Sequence, residues 1–179
     1  MRASRRLVPA VALVLVASSG AVVEARAGET QEGTPCTFAF DITFSPGVSE
    51  TPTSGTHTSG GQTGAVECDG PVNGKQPTGP GTFGESGRYG TVDPDTCTGG
   101  GEGDGVDTLV FPTADGTETI KSPFTAEWGE ISTRGGGVVA GRFEGERYSG
   151  TLELTPTDGD CLSRPMTKGR VIGEGILHD

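Results

Sequence analysis

Beyond its first 27 residues this chain has no run longer than ten residues free of both glycine and proline, and that run is CTFAFDITFS at 36–45. Relative to alanine, an interior glycine costs a helix about 1 kcal/mol and a proline about 3 kcal/mol. With 32 glycines and 12 prolines spread along 179 residues, no sizeable helix is expected there. The one long run alternates instead. Phe38, Phe40, Ile42 and Phe44 share one parity, and Thr37, Ala39, Asp41 and Thr43 the other. Period two marks a half-buried strand.

Further strands follow at short spacing. GAVEC at 64–68 is one, and GTFGESGRYGTV at 81–92 holds one or two. DTLVF at 107–111 and TETIK at 117–121 flank PTADG, a hairpin signal. FTAEWGEI at 124–131 and VVAGRFEG at 138–145 flank TRGGG. RYSGTLELT at 147–155 and RVIGEGIL at 170–177 close the chain. Eight or nine short strands joined by glycine-rich turns predict an all-β domain. The expected form is a single antiparallel β-barrel, with a two-sheet β-sandwich as the alternative. Gly141 and Gly145 share one face of their strand, as do Gly173 and Gly175, which suits tight curvature or close strand packing. SPGVSETPTSGTHTSGGQTG at 45–64 is polar and low in complexity, so a flexible loop is expected near 45–60.

The first 27 residues differ in kind. A basic MRASRR precedes an apolar run and an Ala25-Arg26-Ala27 site, the layout of a secretory signal peptide. The apolar run is broken by Pro9, Ser18, Ser19 and Gly20, which argues against a spanning helix. Cleavage there would leave a disordered start at 28–33 and one domain at 34–179. The leader holds four of the 13 basic residues and one of the 24 acidic ones, so the remainder carries a formal charge of −14. Such a surface repels phosphate backbones and argues against nucleic-acid partners. Stable membrane insertion after cleavage is not expected either.

Four cysteines remain, Cys36, Cys68, Cys97 and Cys161. An even count in an exported chain, without C-x-x-C or paired histidines, predicts two disulfides rather than a metal site. Cys36 opens the first strand and Cys68 ends the next, and such ends lie side by side in an antiparallel pair. That favours Cys36–Cys68 with Cys97–Cys161. Cys68–Cys97 with Cys36–Cys161 is the other arrangement considered.

Several motifs suggest chemistry without specifying it. GPGTFG at 79–84 matches G-x-G-x-x-G, but no helix follows to hold a phosphate. DPDTCTGGGEGDGVD at 93–107 offers Asp93, Asp95, Glu102, Asp104 and Asp107 as oxygen ligands for Ca²⁺, against the simpler reading of a solvated acidic turn. His57 and His178 are the two histidines; neither adjoins a nucleophile, and G-x-S-x-G is absent. Glu127 and Glu130 flank Trp128, but on a strand they face opposite ways, which disfavours a glycosidase pair. Trp128 shares its parity with Phe124 and Ala126 and reads as core. RYGTVDPDTC at 88–97 and RYSGTLELTPTDGDC at 147–161 form a faint internal echo. In GRFEG at 141–145, just before the second, Arg142 and Glu144 read as the charged outer face of a hairpin.

Together TFSPGVSETPTSGTHTSGG, YGTVDPDTC, the GGEGDG loop, PFTAEWGE and the SGT…TPTDGDC ending resemble a family of small secreted actinobacterial proteins, over essentially the whole chain after the leader. The resemblance implies export, an all-β fold and paired cysteines, and carries over no catalytic residue.

Two functional classes follow. The first is a secreted, non-catalytic β protein that binds an extracellular small molecule, glycan or protein, free or at the cell envelope. The alternative is a small β-barrel enzyme, an isomerase, cyclase or hydrolase, with a carboxylate inside. A core filled by Phe and Val would disfavour catalysis. A cavity holding an acid with a raised pKa would favour it.

Overall fold

A computed structural model describes residues 33–129 and 139–178. The signal-like leader, most of the 28–33 segment, Glu130 and the TRGGG turn lie outside the described residues. Nine strands follow one another: β1 (Thr34–Val48), β2 (Gly55–Thr58), β3 (Gly64–Cys68), β4 (Gly81–Tyr89), β5 (Gly101–Thr113), β6 (Gly116–Trp128), β7 (Val139–Gly145), β8 (Tyr148–Asp158) and β9 (Met166–Leu177). Among the described residues there is no helix, and none that is long and apolar enough to cross a membrane.

All strands belong to one antiparallel sheet, in the order β2-β1-β3-β4-β5-β6-β7-β8-β9. β9 also pairs with β1, from Thr34↔Leu177 to Thr43↔Lys168. Between β1 and β4 the place of one strand is divided. β3 fills one part, pairing Cys36↔Cys68 on β1 and Val66↔Gly81 on β4. β2 fills the other, pairing Phe44↔His57 on β1 and His57↔Gly87 on β4. This corrects the sequence expectation. The sheet is not the regular closed barrel of short strands, nor a two-sheet sandwich. It is a single nine-stranded sheet in which β1, β5, β6, β8 and β9 each run 11 residues or more, with an irregular junction at β2 and β3.

Three local readings change for identifiable reasons. The 45–60 stretch, expected to be flexible, contains the end of β1 and all of β2, because His57 turns inward and is buried. TETIK and FTAEW, the described start of the 124–131 stretch, form one strand through Pro123, ending at Trp128. Pairing with β7 begins only at Phe124, so the missing N–H of Pro123 removes no bond from that ladder. The glycine-rich GEGDG begins β5 rather than a turn. A Cβ at Gly103 would lie 3.0 Å from the Trp128 ring, and one at Gly105 2.9 Å from the Phe124 ring. Rings from β6 occupy the space these two glycines leave, so the inward row is apolar although its own residues are not.

The same device recurs on the buried face. Phe38 lies over Gly173 and Tyr148 over Gly175. Ring packing fills the centre, with Phe40 and Phe83 stacked at 4.8 Å and Phe143 against Tyr148 at 5.1 Å. Phe38, Phe40, Phe83, Phe143 and Tyr148 are each at most 5% exposed, and a buried aromatic stabilises by about 1.5–3 kcal/mol through area alone. On the outer face Arg142 meets Glu127 at 2.7 Å, Arg88 meets Asp104 at 2.6 Å and Arg170 meets Asp41 at 3.1 Å. GRFEGERYSGTLELTPTDGDC is thus the β7–β8 pair with Phe143 and Tyr148 inside, although β8 continues through Pro156 to Asp158.

Cys36 is bonded to Cys68 and Cys97 to Cys161, and no described cysteine is free. The first bond joins residues already paired across β1 and β3. The second ties the 93–100 loop to the segment after β8, linking the two halves of the internal echo.

Candidate functional site

The buried face is not wholly apolar. Phe83 points inward on β4 and Leu109 and Phe111 on β5, and alternation carries that parity to Glu85 and Asp107. β2 contributes one inward side chain, His57. Glu85 stands opposite Asp107 across β4–β5, and Asp107 stands opposite Ser122 across β5–β6. Three adjacent strands therefore present a polar row inside an aromatic core.

His57, Glu85 and Asp107 line a cavity of about 50 Å³ whose other walls are apolar, among them Phe38, Phe40, Phe124 and Trp128. His57 Nδ1 lies 2.8 Å from Glu85 Oε1, off the line of a straight N–H···O hydrogen bond, and neither ring nitrogen of His57 has a hydrogen-bond partner. The ring sits between Phe44 and Phe124, 6.4 and 6.3 Å away. Gly87 makes room for it, since a Cβ there would lie 2.7 Å from Nε2.

Asp107 is 2% exposed, and its Oδ1 is buried with no hydrogen-bond partner. Burial first, and then the Glu85 carboxyl opposite, raise its pKa well above the ordinary carboxylate range. The Tyr148 hydroxyl is also buried without a partner. Burial, with a smaller contribution from Asp107, pushes its ionisation up. Ser122 accepts hydrogen bonds from the backbone N–H groups of Arg147 and Tyr148, at 3.2 and 3.1 Å, and so holds the start of β8 against β6. Buried polar atoms are normally satisfied, and each exception costs about 1–3 kcal/mol. Several such exceptions in one cavity mark it as the candidate site.

The five carboxylates considered for calcium are dispersed. Asp93 is exposed. Asp95 is buried, and its Oδ1 accepts the Glu102 N–H at 3.2 Å. The Glu102 side chain is exposed on the outer face, and Asp104 there is engaged by Arg88 through two hydrogen bonds. Asp107 faces the opposite way. Among the described residues no group of three or more His, Cys, Asp or Glu could hold a metal ion, which corrects the calcium reading of 93–107. Glu127 is paired outward with Arg142, and Trp128 packs against the core.

Asp107 entered the sequence reading in the wrong role, and His57 and Glu85 in none. A signal existed: a carboxylate sharing parity with Phe83, and another with Leu109 and Phe111, is a charge on the apolar face of a strand. Comparison with protein-family models, curated proteins and solved structures gives no match.

Proposed function

We propose that this disulfide-stabilised β domain is exported and that its interior cavity binds a small, largely apolar molecule bearing a carbonyl or similar acceptor oxygen. One observation carries the reading: a buried Asp107 carboxyl with an unpartnered oxygen inside an aromatic-lined cavity. Burial favours its neutral form, and a neutral carboxyl is a hydrogen-bond donor. Ring walls supply area, and one buried donor supplies orientation, the usual division of labour in a small-molecule pocket. A volume of about 50 Å³ suits an occupant of few heavy atoms. The export half rests on the signal-like leader and the two disulfides.

Titration with acetone and with isobutane, followed by ligand-observed NMR, tests the pocket. The ketone is expected to bind at least tenfold more tightly, and Asp107→Leu to abolish the difference. Equal affinity of the two probes in the wild-type protein would mean that Asp107 serves only a buried water.

A further inference from the structure

We propose that Ser149 and His178 form a second site, a nucleophile–base pair on the outer face that transfers the acyl group of a small, cation-bearing ester to water. The pair lies on the opposite face of the sheet from the interior cavity and does not depend on what that cavity binds.

Alternation places the two side chains. Tyr148 is buried in the core, so Ser149 on β8 points outward. Leu177 is buried at the end of β9, so Ile176 and His178 on either side of it point outward too. Ser149 stands opposite Ile176. His178, two residues further on, is then its diagonal neighbour, within reach of a long side chain. The His178 backbone N–H donates to the Arg147 carbonyl at 2.8 Å, which carries the β8–β9 pairing one step past Tyr148↔Leu177. Ser149 Oγ and His178 Nε2 come to lie 3.1 Å apart. The two residues are 29 positions apart in sequence, so no local pattern joins them.

Three features argue for chemistry rather than for a surface hydrogen bond alone. First, 3.1 Å is within the range of a nucleophile and its base. With the imidazole proton on Nδ1, Nε2 accepts the hydrogen bond from the Ser149 hydroxyl and is the atom that can take its proton. Second, a substrate has room. Ser149 lines an open groove of about 580 Å³ on the outer face of β3, β1, β9 and β8, and Ser149 and His178 are each only half-buried. Third, the groove has one sign of charge. Glu67, Asp69 and Glu174 line it. Among the described residues none of the three enters an ion pair, whereas Asp41, Asp104 and Glu127 on the same outer face each meet an arginine. Such a lining attracts a substrate that carries an ammonium group.

The reaction balances with water as the co-reactant. Ser149 Oγ forms a bond to the ester carbonyl carbon while its proton goes to His178 Nε2. The carbonyl π pair moves onto the oxygen, then returns as the bond to the leaving oxygen breaks. The leaving alcohol takes the proton from the imidazolium. Water from the groove then attacks the acyl-serine, gives its proton to Nε2, and the acid departs as Ser149 recovers its hydrogen. The net change is ester and water to acid and alcohol. Ser149 and His178 are the catalytic residues.

The first arm of the test treats the protein with p-nitrophenyl acetate, quenches in acid and maps acetylated peptides by mass spectrometry. Ser149 is expected to acetylate about 10²–10⁴ times faster than Ser54, the usual yield of a positioned base; Ser54 is an exposed serine whose hydroxyl donates to the Gly90 carbonyl. His178→Gln should bring Ser149 down to the Ser54 rate with the circular dichroism unchanged. Acetylation of wild-type Ser149 at the Ser54 rate overturns the proposal, whether or not His178→Gln folds. Undiminished acetylation in a folded His178→Gln protein removes His178 from the step. The second arm follows acetate release by ¹H NMR from acetylcholine and from its neutral isostere 3,3-dimethylbutyl acetate. Acetylcholine is expected to react about tenfold faster or more at low ionic strength, with the advantage shrinking as salt is added, and Ser149→Ala to return both esters to the buffer rate. Equal rates for the two esters would refute the cation-bearing substrate class, and wild-type release by Ser149→Ala would refute the site.

Discussion

Glu85 and Asp107 face one another across the β4–β5 ladder with both side chains on the buried side of the sheet. Two carboxyls in one cross-strand pair cannot both ionise cheaply away from water. Burial is the larger cause of the raised Asp107 pKa and Glu85 the smaller. Glu85→Gln is therefore expected to lower the Asp107 pKa while leaving it above the ordinary range. Carboxyl-carbon NMR titration reads this directly. An unchanged Asp107 titration would show that the two groups do not interact.

Asp95 predicts a pH-dependent stability. Burial raises its pKa from the ordinary value of about 4 to about 6, against hydrogen bonds from the Glu102 and Gly90 backbone that lower it. Between those values the folded chain holds a proton that the unfolded chain has released. The contribution of Asp95 to stability therefore falls as pH rises from about 4 to about 6, then levels off. Asp95→Asn keeps an oxygen for the Glu102 N–H and removes the titration. The difference in thermal midpoint between Asp95→Asn and wild type should thus increase with pH across that window, and a constant difference would contradict the assignment.

Gly150 tests how tightly the strands meet. It pairs with Gly175, and a Cβ at 150 would lie 2.1 Å from the Glu174 carbonyl oxygen and 2.5 Å from the Gly175 Cα. Backbone on the receiving side cannot rotate away. Gly150→Ala is expected to cost about 1–3 kcal/mol, the usual range for overpacking. At Gly79 a Cβ would meet no atom within 4 Å, so Gly79→Ala should be close to neutral. Urea unfolding of the two variants side by side makes the comparison, and equal stability would refute the close approach.

The Cys97–Cys161 bond closes 64 residues of chain. Loop-closure entropy for that length corresponds to about 4 kcal/mol. It also anchors a loop held otherwise by a few contacts, among them the reciprocal Thr53–Asp95 backbone bonds at 2.9 and 2.8 Å. Replacing both cysteines by serine should lower unfolding free energy by about 2–4 kcal/mol, measured by urea titration of the oxidised protein. A loss below about 1 kcal/mol would mean that the unfolded chain is already constrained there.

Much of the β architecture was legible from local rules. Glycine and proline density after residue 27 argues against any sizeable helix there, and period two in 36–45 shows β1 without a structure. The parity of Phe143, Leu152 and Leu154 likewise separates the two faces of the β7–β8 pair. These signals are local, since each depends on residues within one strand. β2 was hidden because GTHT contains a single inward side chain, and that one is a histidine. The start of β5 was hidden because the apolar surface over Gly103 and Gly105 belongs to β6.

The chain's own pattern thus establishes an all-β, acidic, cysteine-containing domain and the face on which each strong strand buries its side chains. Only the tertiary structure decides which strands are neighbours, and with that the site. Glu85 and Asp107 are 22 residues apart in sequence, and His57 is 28 residues before Glu85. Alternation sets each one's face but not its register, because register depends on pairing between strands. The β2–β4 and β4–β5 ladders bring an imidazole and two carboxyls into one cavity, and the aromatic rings around them keep water away. That desolvation, which no single strand can produce, turns three ordinary polar residues into a candidate site.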